Sequence, residues 1–205
     1  DHVVIATGAV PVVPDIPAED GAHVVQAWDV LTGNAQTGTE VVVVGGGAVG
    51  IETSILLGEE GTLTPEALRF LTLYRAESQE TLYEMLNSGS KNISIVEMLD
   101  KSGKDIGKTT RWIMMDRLRK LGVKIHTGTR VAEIKKDRVV AEGPDGTREL
   151  MADTVVLAIG SKSESSLYEQ IKKEFDGVSI IGDARTPRKA MDAVREAYDL
   201  GCSIG

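Results

Sequence analysis

The sequence is short of cysteine, of positive charge and of long apolar runs, and each shortage removes a class of function. One cysteine, Cys202, stands among 205 residues. A single thiol closes no internal disulfide, holds no iron–sulfur cluster and supplies no redox-active cysteine pair. Cys202 therefore reads as a small, buried or partly buried apolar residue. The 23 lysines and arginines are outnumbered by 31 acids, for a formal net charge of -8. Binding to nucleic acid or to an anionic membrane needs positive potential, so neither partner is expected. No apolar run approaches the roughly 18 residues that would span a bilayer. The start carries no signal-peptide pattern, and the expected location is cytoplasmic. His2, His23 and His126 are scattered without metal-ligand spacing, so no metal site is expected. His126 falls in a predicted strand and reads as structural.

What is present is the composition of an ordinary globular protein, with 41% hydrophobic residues, 26% charged residues and 22 glycines. The length allows one sizeable core, or one domain with pieces of another. The opening, DHVVIATGAVP, lacks an initiator Met and runs straight into an apolar strand, while the close, YDLGCSIG, follows a helix. The chain is read as a segment of a larger polypeptide.

Along the chain, residues 3–6 form a short apolar strand, and residues 9–20, with Pro11, Pro14 and Pro17, read as an extended linker. HVVQAWDVL, 23–31, fits a strand or a helix. Val41–Val44 is a β-branched run without alternation, the pattern of a parallel strand buried on both faces. AVGIETSILLG, 48–58, has helical spacing. Thr64, Pro65 and Glu66 mark a helix start, and Ser78 marks another, so an inserted helical pair is expected over 59–91. ISIVE, 93–97, is a second strand. Residues 110–121 read as a helix stopped by Gly122. Residues 123–150 read as three or four short antiparallel strands, with Asp145-Gly146 as a hairpin turn. TVVLAIG, 154–160, and VSIIGDA, 178–184, are further strands. PRKAMDAVREAYDLG reads as a last helix, from Pro187 to Gly201. The order predicts an α/β fold: a Rossmann-like parallel sheet with helices on both faces, an antiparallel β-meander and an inserted helical pair.

The chemistry concentrates in EVVVVGGGAVGIE, Glu40 to Glu52. Gly45, Gly47 and Gly50 fit G-x-G-x-x-G between a buried strand and a helix, the context that the motif requires. Gly45 permits the tight turn, Gly47 removes a side chain where a pyrophosphate would approach, and Gly50 lets helix and strand pack closely. The helix start offers unpaired N–H groups and a partial positive charge. The competing reading is a glycine turn with no ligand. A ribose-binding acid should close the next strand. With the helical insertion set aside, that acid is Glu97, which favours NAD over NADP; the bland reading is a solvated strand-end carboxylate. Glu52 is either a polar contact to the nicotinamide end or a first-turn acid held by the helix dipole. KSGKDIGK, 101–108, reads as a solvated loop, with Lys101 a candidate phosphate or ribose contact.

The segments VVIATGAVPVVPDIP, VVVVGGGAVGIE, ISIVEM, TVVLAIGS and VSIIGDARTPRKAMDAVREAYDLG together resemble the flavoproteins with two dinucleotide-binding domains. They are most similar to the C-terminal region of the multidomain old-yellow-enzyme relatives, the 2-enoate reductase and 2,4-dienoyl-CoA reductase group of NADH:flavin oxidoreductases with a pyridine nucleotide-disulfide oxidoreductase-like fold. The helical insertion resembles that of enoate-reductase-like members. The resemblance implies that residues 36–162 form an NAD(H)-binding domain, and that 1–35 and 163–205 are flanking parts of an FAD-binding domain. It implies cofactor contacts at Gly45, Gly46, Gly47, Ala48, Val49, Gly50, Glu52, Glu97, Met98 and Gly160, with Thr7, Gly8, Gly182 and Asp183 on the FAD side. Ala48 and Val49 would line the approach of nicotinamide to flavin.

By the same resemblance FAD is held only in the intact protein, because its adenosine-binding G-x-G-x-x-G is absent from this chain. FMN and a 4Fe-4S cluster belong to an N-terminal barrel outside it. The missing cysteine pair sets the chain apart from the disulfide-reductase branch. The implied function is to present NADH to FAD in an oxidoreductase acting on activated alkenes, with no catalytic side chain in this segment and the rest of the polypeptide, barrel and FAD domain, as partner. Two other readings stay open: a non-catalytic domain holding ADP or AMP as a structural ligand, and a stand-alone reductase of the ferredoxin-reductase kind. Homo-oligomerisation is left open.

Overall fold

A computed structural model describes residues 1–204, which divide into two compact units. The larger unit is Val13–Ile159. The smaller joins Asp1–Val12 to the segment that begins at Gly160. The residues 13–35, assigned from sequence to the flanking part, thus pack in the larger unit.

The larger unit is built on a five-stranded sheet in the order β3 (Val24–Gln26), β10 (Thr154–Leu157), β4 (Glu40–Val44), β5 (Asn92–Val96), β6 (Lys124–His126). Every pairing in it is parallel. The valine run lies at its centre: Val42 stands opposite Val155 on one side and Ser94 on the other. Val41 and Val43 pack with Ile51, Leu57, Ile93, Ile95 and Leu118. These come from the sheet and from α2 (Ala48–Glu59) and α5 (Lys108–Lys120), with Ala27 and Val30 of α1 (Ala27–Leu31) joining them. Val42 and Val44 face the other way, onto Ile134, Val139 and Ala152. That second face is covered by the antiparallel meander β7 (Arg130–Ile134), β8 (Arg138–Gly143) and β9 (Gly146–Met151). The meander takes the place of the second helical layer expected from the strand–helix rhythm. A strand buried on both faces has no polar side, which is why the run shows no alternation.

The helical insertion is as expected. In α3 (Pro65–Leu73) the Thr64 hydroxyl accepts from Ala67 N–H at 3.2 Å, and in α4 (Gln79–Met85) Ser78 accepts from Thr81 N–H at 3.1 Å. Arg117 of α5 ties this region down through Glu59 at 2.7 Å and Asn87 at 2.8 Å.

The smaller unit pairs β1 (Val3–Ile5) in parallel with β12 (Val178–Ile180), and β2 (Ala9–Pro11) antiparallel with β11 (Ser161–Ser163). It adds α6 (Ser166–Ile171), a 3₁₀ turn at Gly182–Ala184 and α7 (Ala190–Ile204). Several expectations are corrected. The presumed linker contains β2. HVVQAWDVL is both elements in succession, β3 and then α1. Lys124–His126 joins the parallel sheet rather than the meander. The last helix starts at Ala190 and runs through Gly201, and Cys202 on it is exposed. No helix of the described residues is long and apolar enough to cross a membrane.

Candidate functional site

The glycine turn joins β4 to α2. Gly45 adopts φ 109°, and its N–H donates to the Val96 carbonyl at 2.9 Å. A Cβ there would collide with the Ala158 carbonyl, and a Cβ on Gly50 would collide with the carbonyl of Gly45. These two glycines are required by the strand–helix junction itself, whatever binds above it. Gly47 differs: the nearest atom to a Cβ on it is a carboxylate oxygen of Asp105, at 3.2 Å. Gly46 would meet the Ser102 hydroxyl at 2.6 Å and the Glu97 Cβ at 3.1 Å.

Two acids converge on this turn. Glu97 follows β5 directly. One carboxylate oxygen accepts from Gly46 N–H at 2.6 Å and the other from Leu99 N–H at 2.7 Å. Its own backbone is bonded on both sides, to the His126 carbonyl and from Thr129 N–H, each at 2.9 Å. The side chain is thereby fixed against the glycines. Asp105 takes the start of α2, where Ala48 N–H donates to its two oxygens at 2.9 and 3.1 Å. That helix has glycine at its N-cap position, no side-chain cap of its own and no acid in its first turn. Asp105 satisfies an orphan N–H and opposes the positive end of the dipole from outside the helix.

Glu52 is exposed and lies beyond the first turn of α2, which removes the first-turn-acid reading, one of the two that the sequence offered for it. Ala48 is half-buried, and Val49 packs on the helix-side core. Met98 and Leu99 are exposed beside Glu97. Lys101 is exposed, and Lys104 pairs with Asp100.

The loop between Glu97 and α5 arches back over the turn. Gly103 N–H donates to the Gly46 carbonyl at 2.6 Å, and the Arg111 guanidinium holds the Ser102 carbonyl at 2.7 and 3.1 Å. Ser102 is 2% exposed, and its hydroxyl finds no partner among the described residues. Sequence reasoning passed over Ser102, Gly103 and Asp105 as a solvated loop. The available signal was negative: a helix beginning Gly47-Ala48-Val49 has no capping side chain and must find one elsewhere.

In the smaller unit, the Thr7 hydroxyl donates to the Glu164 carbonyl at 2.5 Å, and the Gly8 carbonyl accepts from Glu164 N–H at 3.1 Å. Gly160 accepts from Val12 N–H at 3.0 Å. Gly182 N–H donates to Glu196 at 2.8 Å, and Asp183 accepts from Arg188 N–H at 3.1 Å. The Arg188 guanidinium, with the Gly182 amide adding to it, holds the Glu196 carboxyl below its usual range. Glu196 was not singled out from sequence. His126 lies on β6 with Nε2 buried and unpartnered among the described residues. Burial, then Arg148 and Lys124, hold its pKa below the ordinary value.

Comparison with known proteins gives a consistent placement. The chain is 47% identical over 199 residues to a metal reductase of Desulforamulus reducens, covering 97% of this chain and 30% of that protein. It is 34% identical to an NADH oxidase of Thermoanaerobacter brockii, covering all of this chain and 28% of the relative. The structure of a 2-naphthoyl-CoA reductase in complex with 2-naphthoyl-CoA matches 97% of this chain and 26% of its own, at 25% identity and a TM-score of 0.74. The chain thus spans less than a third of the length of these relatives. The pyridine nucleotide-disulphide oxidoreductase family matches residues 1–197, and the chain belongs to it.

Proposed function

We propose that this member of the pyridine nucleotide-disulphide oxidoreductase family is the NAD(H)-binding part of an FAD-dependent oxidoreductase of the enoate-reductase type. The observation that carries the reading is the anion held by the glycine turn. Ala48 N–H, at the positive end of α2, bonds a carboxylate at 2.9 Å. That carboxylate is the protein's own Asp105; a dinucleotide pyrophosphate presents anionic oxygens of the same kind, and Gly47 adds no side chain of its own to their approach.

Glu97 supports the same reading. Each of its oxygens accepts one backbone N–H, which leaves lone pairs for ribose hydroxyls. Its charge would repel a 2′-phosphate, so NADH is preferred to NADPH. When bound, NADH would supply a hydride that FAD accepts in the intact protein. The work of this chain is to bind and orient: the turn amides hold the phosphates, and Glu97 fixes the ribose. No side chain here is assigned an acid–base role. The activated-alkene class is supported by the GDARTPRKAMDA segment and the helical insertion.

Calorimetric titration with NADH, NADPH and ADP, beside the Glu97→Ala variant, tests the reading. NADH should bind, NADPH more weakly, and the variant should lose roughly tenfold in NADH affinity or more while the preference narrows, as expected for a lost charged acceptor. Equal affinity for ADP and NADH, with no preference over NADPH and no effect of the variant, would support the structural ADP holder instead. NADH oxidation by the full-length protein with an enoate as acceptor tests the substrate class; turnover with other acceptors but no enoate would replace that class.

A further inference from the structure

In the structure the best anion position of the glycine turn is already filled by the protein. Asp105 places both oxygens on Ala48 N–H, at 2.9 and 3.1 Å, and one of them faces the bare Cα of Gly47 at the distance given above. The rest of the loop is drawn in with it. Gly103 bonds the carbonyl of Gly46 at 2.6 Å, and Ser102 is buried over the same glycine. The closed arrangement carries a cost of its own, because the Ser102 hydroxyl is aimed at the turn, buried and without a partner among the described residues. Opening the loop would relieve that cost and free Asp105 from the helix start. Asp105 itself is exposed, and its carboxylate is held by the Ala48 N–H.

We propose that Asp105 is a built-in occupant of the pyrophosphate position, which a nucleotide must displace, so that Asp105 and the Ser102–Asp105 strap set the nucleotide affinity. This rests on the reading of the turn as a nucleotide site. Two phosphates and a carboxylate cannot share one N–H and one helix end, since like charges a few ångströms apart repel. The diphosphate brings more negative charge than the carboxylate to the positive end of α2, so it wins when present. Without nucleotide, Asp105 caps the helix. The strap thus trades an internal anion for an external one, and the intrinsic affinity is reduced by the fraction of molecules in which the site is closed.

The test is calorimetric titration of the full chain and its Asp105→Ala and Asp105→Asn variants with ADP, adenosine and inorganic pyrophosphate. The proposal expects Asp105→Ala to bind ADP and pyrophosphate about five- to tenfold more tightly, with adenosine, which carries no phosphate, unchanged. Asp105→Asn, which keeps the shape and loses the charge, should move in the same direction. Unchanged or weaker ADP affinity in both variants, with the parent protein still binding ADP, overturns the strap and leaves the nucleotide site standing. A uniform gain for ADP and adenosine alike also overturns it, because the effect would not act at the phosphates. If no protein binds ADP or pyrophosphate, the nucleotide reading falls and the strap with it.

Discussion

At Gly50 a methyl group would meet the carbonyl oxygen of Gly45, and at Gly45 it would meet that of Ala158. Both obstacles are backbone, so neither yields without moving the junction of β4 and α2. Gly50→Ala should destabilise the protein by about 1–3 kcal/mol. Gly45→Ala should cost more, because φ 109° is also closed to an L side chain. Thermal unfolding checks both, at roughly 2–4 °C per kcal/mol for a chain of this size. Gly47→Ala meets only the end of the Asp105 side chain, so it should cost less than either, about 1 kcal/mol for a poorer N-cap residue, and weaken nucleotide binding. His126 makes a separate prediction. Its folded pKa lies below the ordinary 6.5, so the unfolded chain takes up the proton first. Its contribution is fully present above that value and is lost as pH falls from there toward the folded pKa. His126→Gln should flatten the fall in stability over that interval, measured by denaturant midpoints just above and roughly one unit below the ordinary value.

At the scale of elements, α2 is a helix whose cap comes from another part of the chain. Asp105→Ala should therefore destabilise the nucleotide-free protein by about 1 kcal/mol, read as a drop in melting temperature of roughly 2–4 °C. Arg117 plays a similar linking part for the helical insertion. It reaches Glu59 and Asn87 from α5, and it is partly exposed. Arg117→Ala should cost about 1 kcal/mol at most, and should show first as faster hydrogen exchange around α4 rather than as global unfolding. Elements marked by their own residues were legible: Thr64-Pro65 and Ser78 announce α3 and α4, and Asp145-Gly146 announces the β8–β9 hairpin. Elements decided by their partners were not. Lys124–His126 carries no local mark that it pairs in parallel with β5. The strand at Ala9–Pro11 is hidden by its proline, which a strand edge tolerates. HVVQAWDVL resisted assignment because it is two short elements with no turn residue between them.

For the whole molecule, the order of strand, glycine turn, helix and strand was readable, because a central parallel strand needs an unbroken apolar run. The division into units was not readable in the same way. The sheet recruits β3 onto β10, residues far apart in sequence, and only tertiary packing decides that pairing. The candidate site was half legible for the same reason. The turn and Glu97 sit at strand ends, where the motif and the strand pattern point. Asp105 acts on Ala48 across 57 positions of sequence, and nothing near it in the chain says so. On the proposed reading, the glycine turn of the larger unit holds the phosphates of NAD(H). Its most direct test is an amide NMR titration of the protein with NADH. The N–H signals of Gly46, Ala48 and Leu99, which now face Glu97 and Asp105, should shift together and saturate with a single affinity, while Gly182 N–H, engaged by Glu196, should stay still. NADH binding that leaves Gly46 and Ala48 unmoved, or no binding at all, would contradict it.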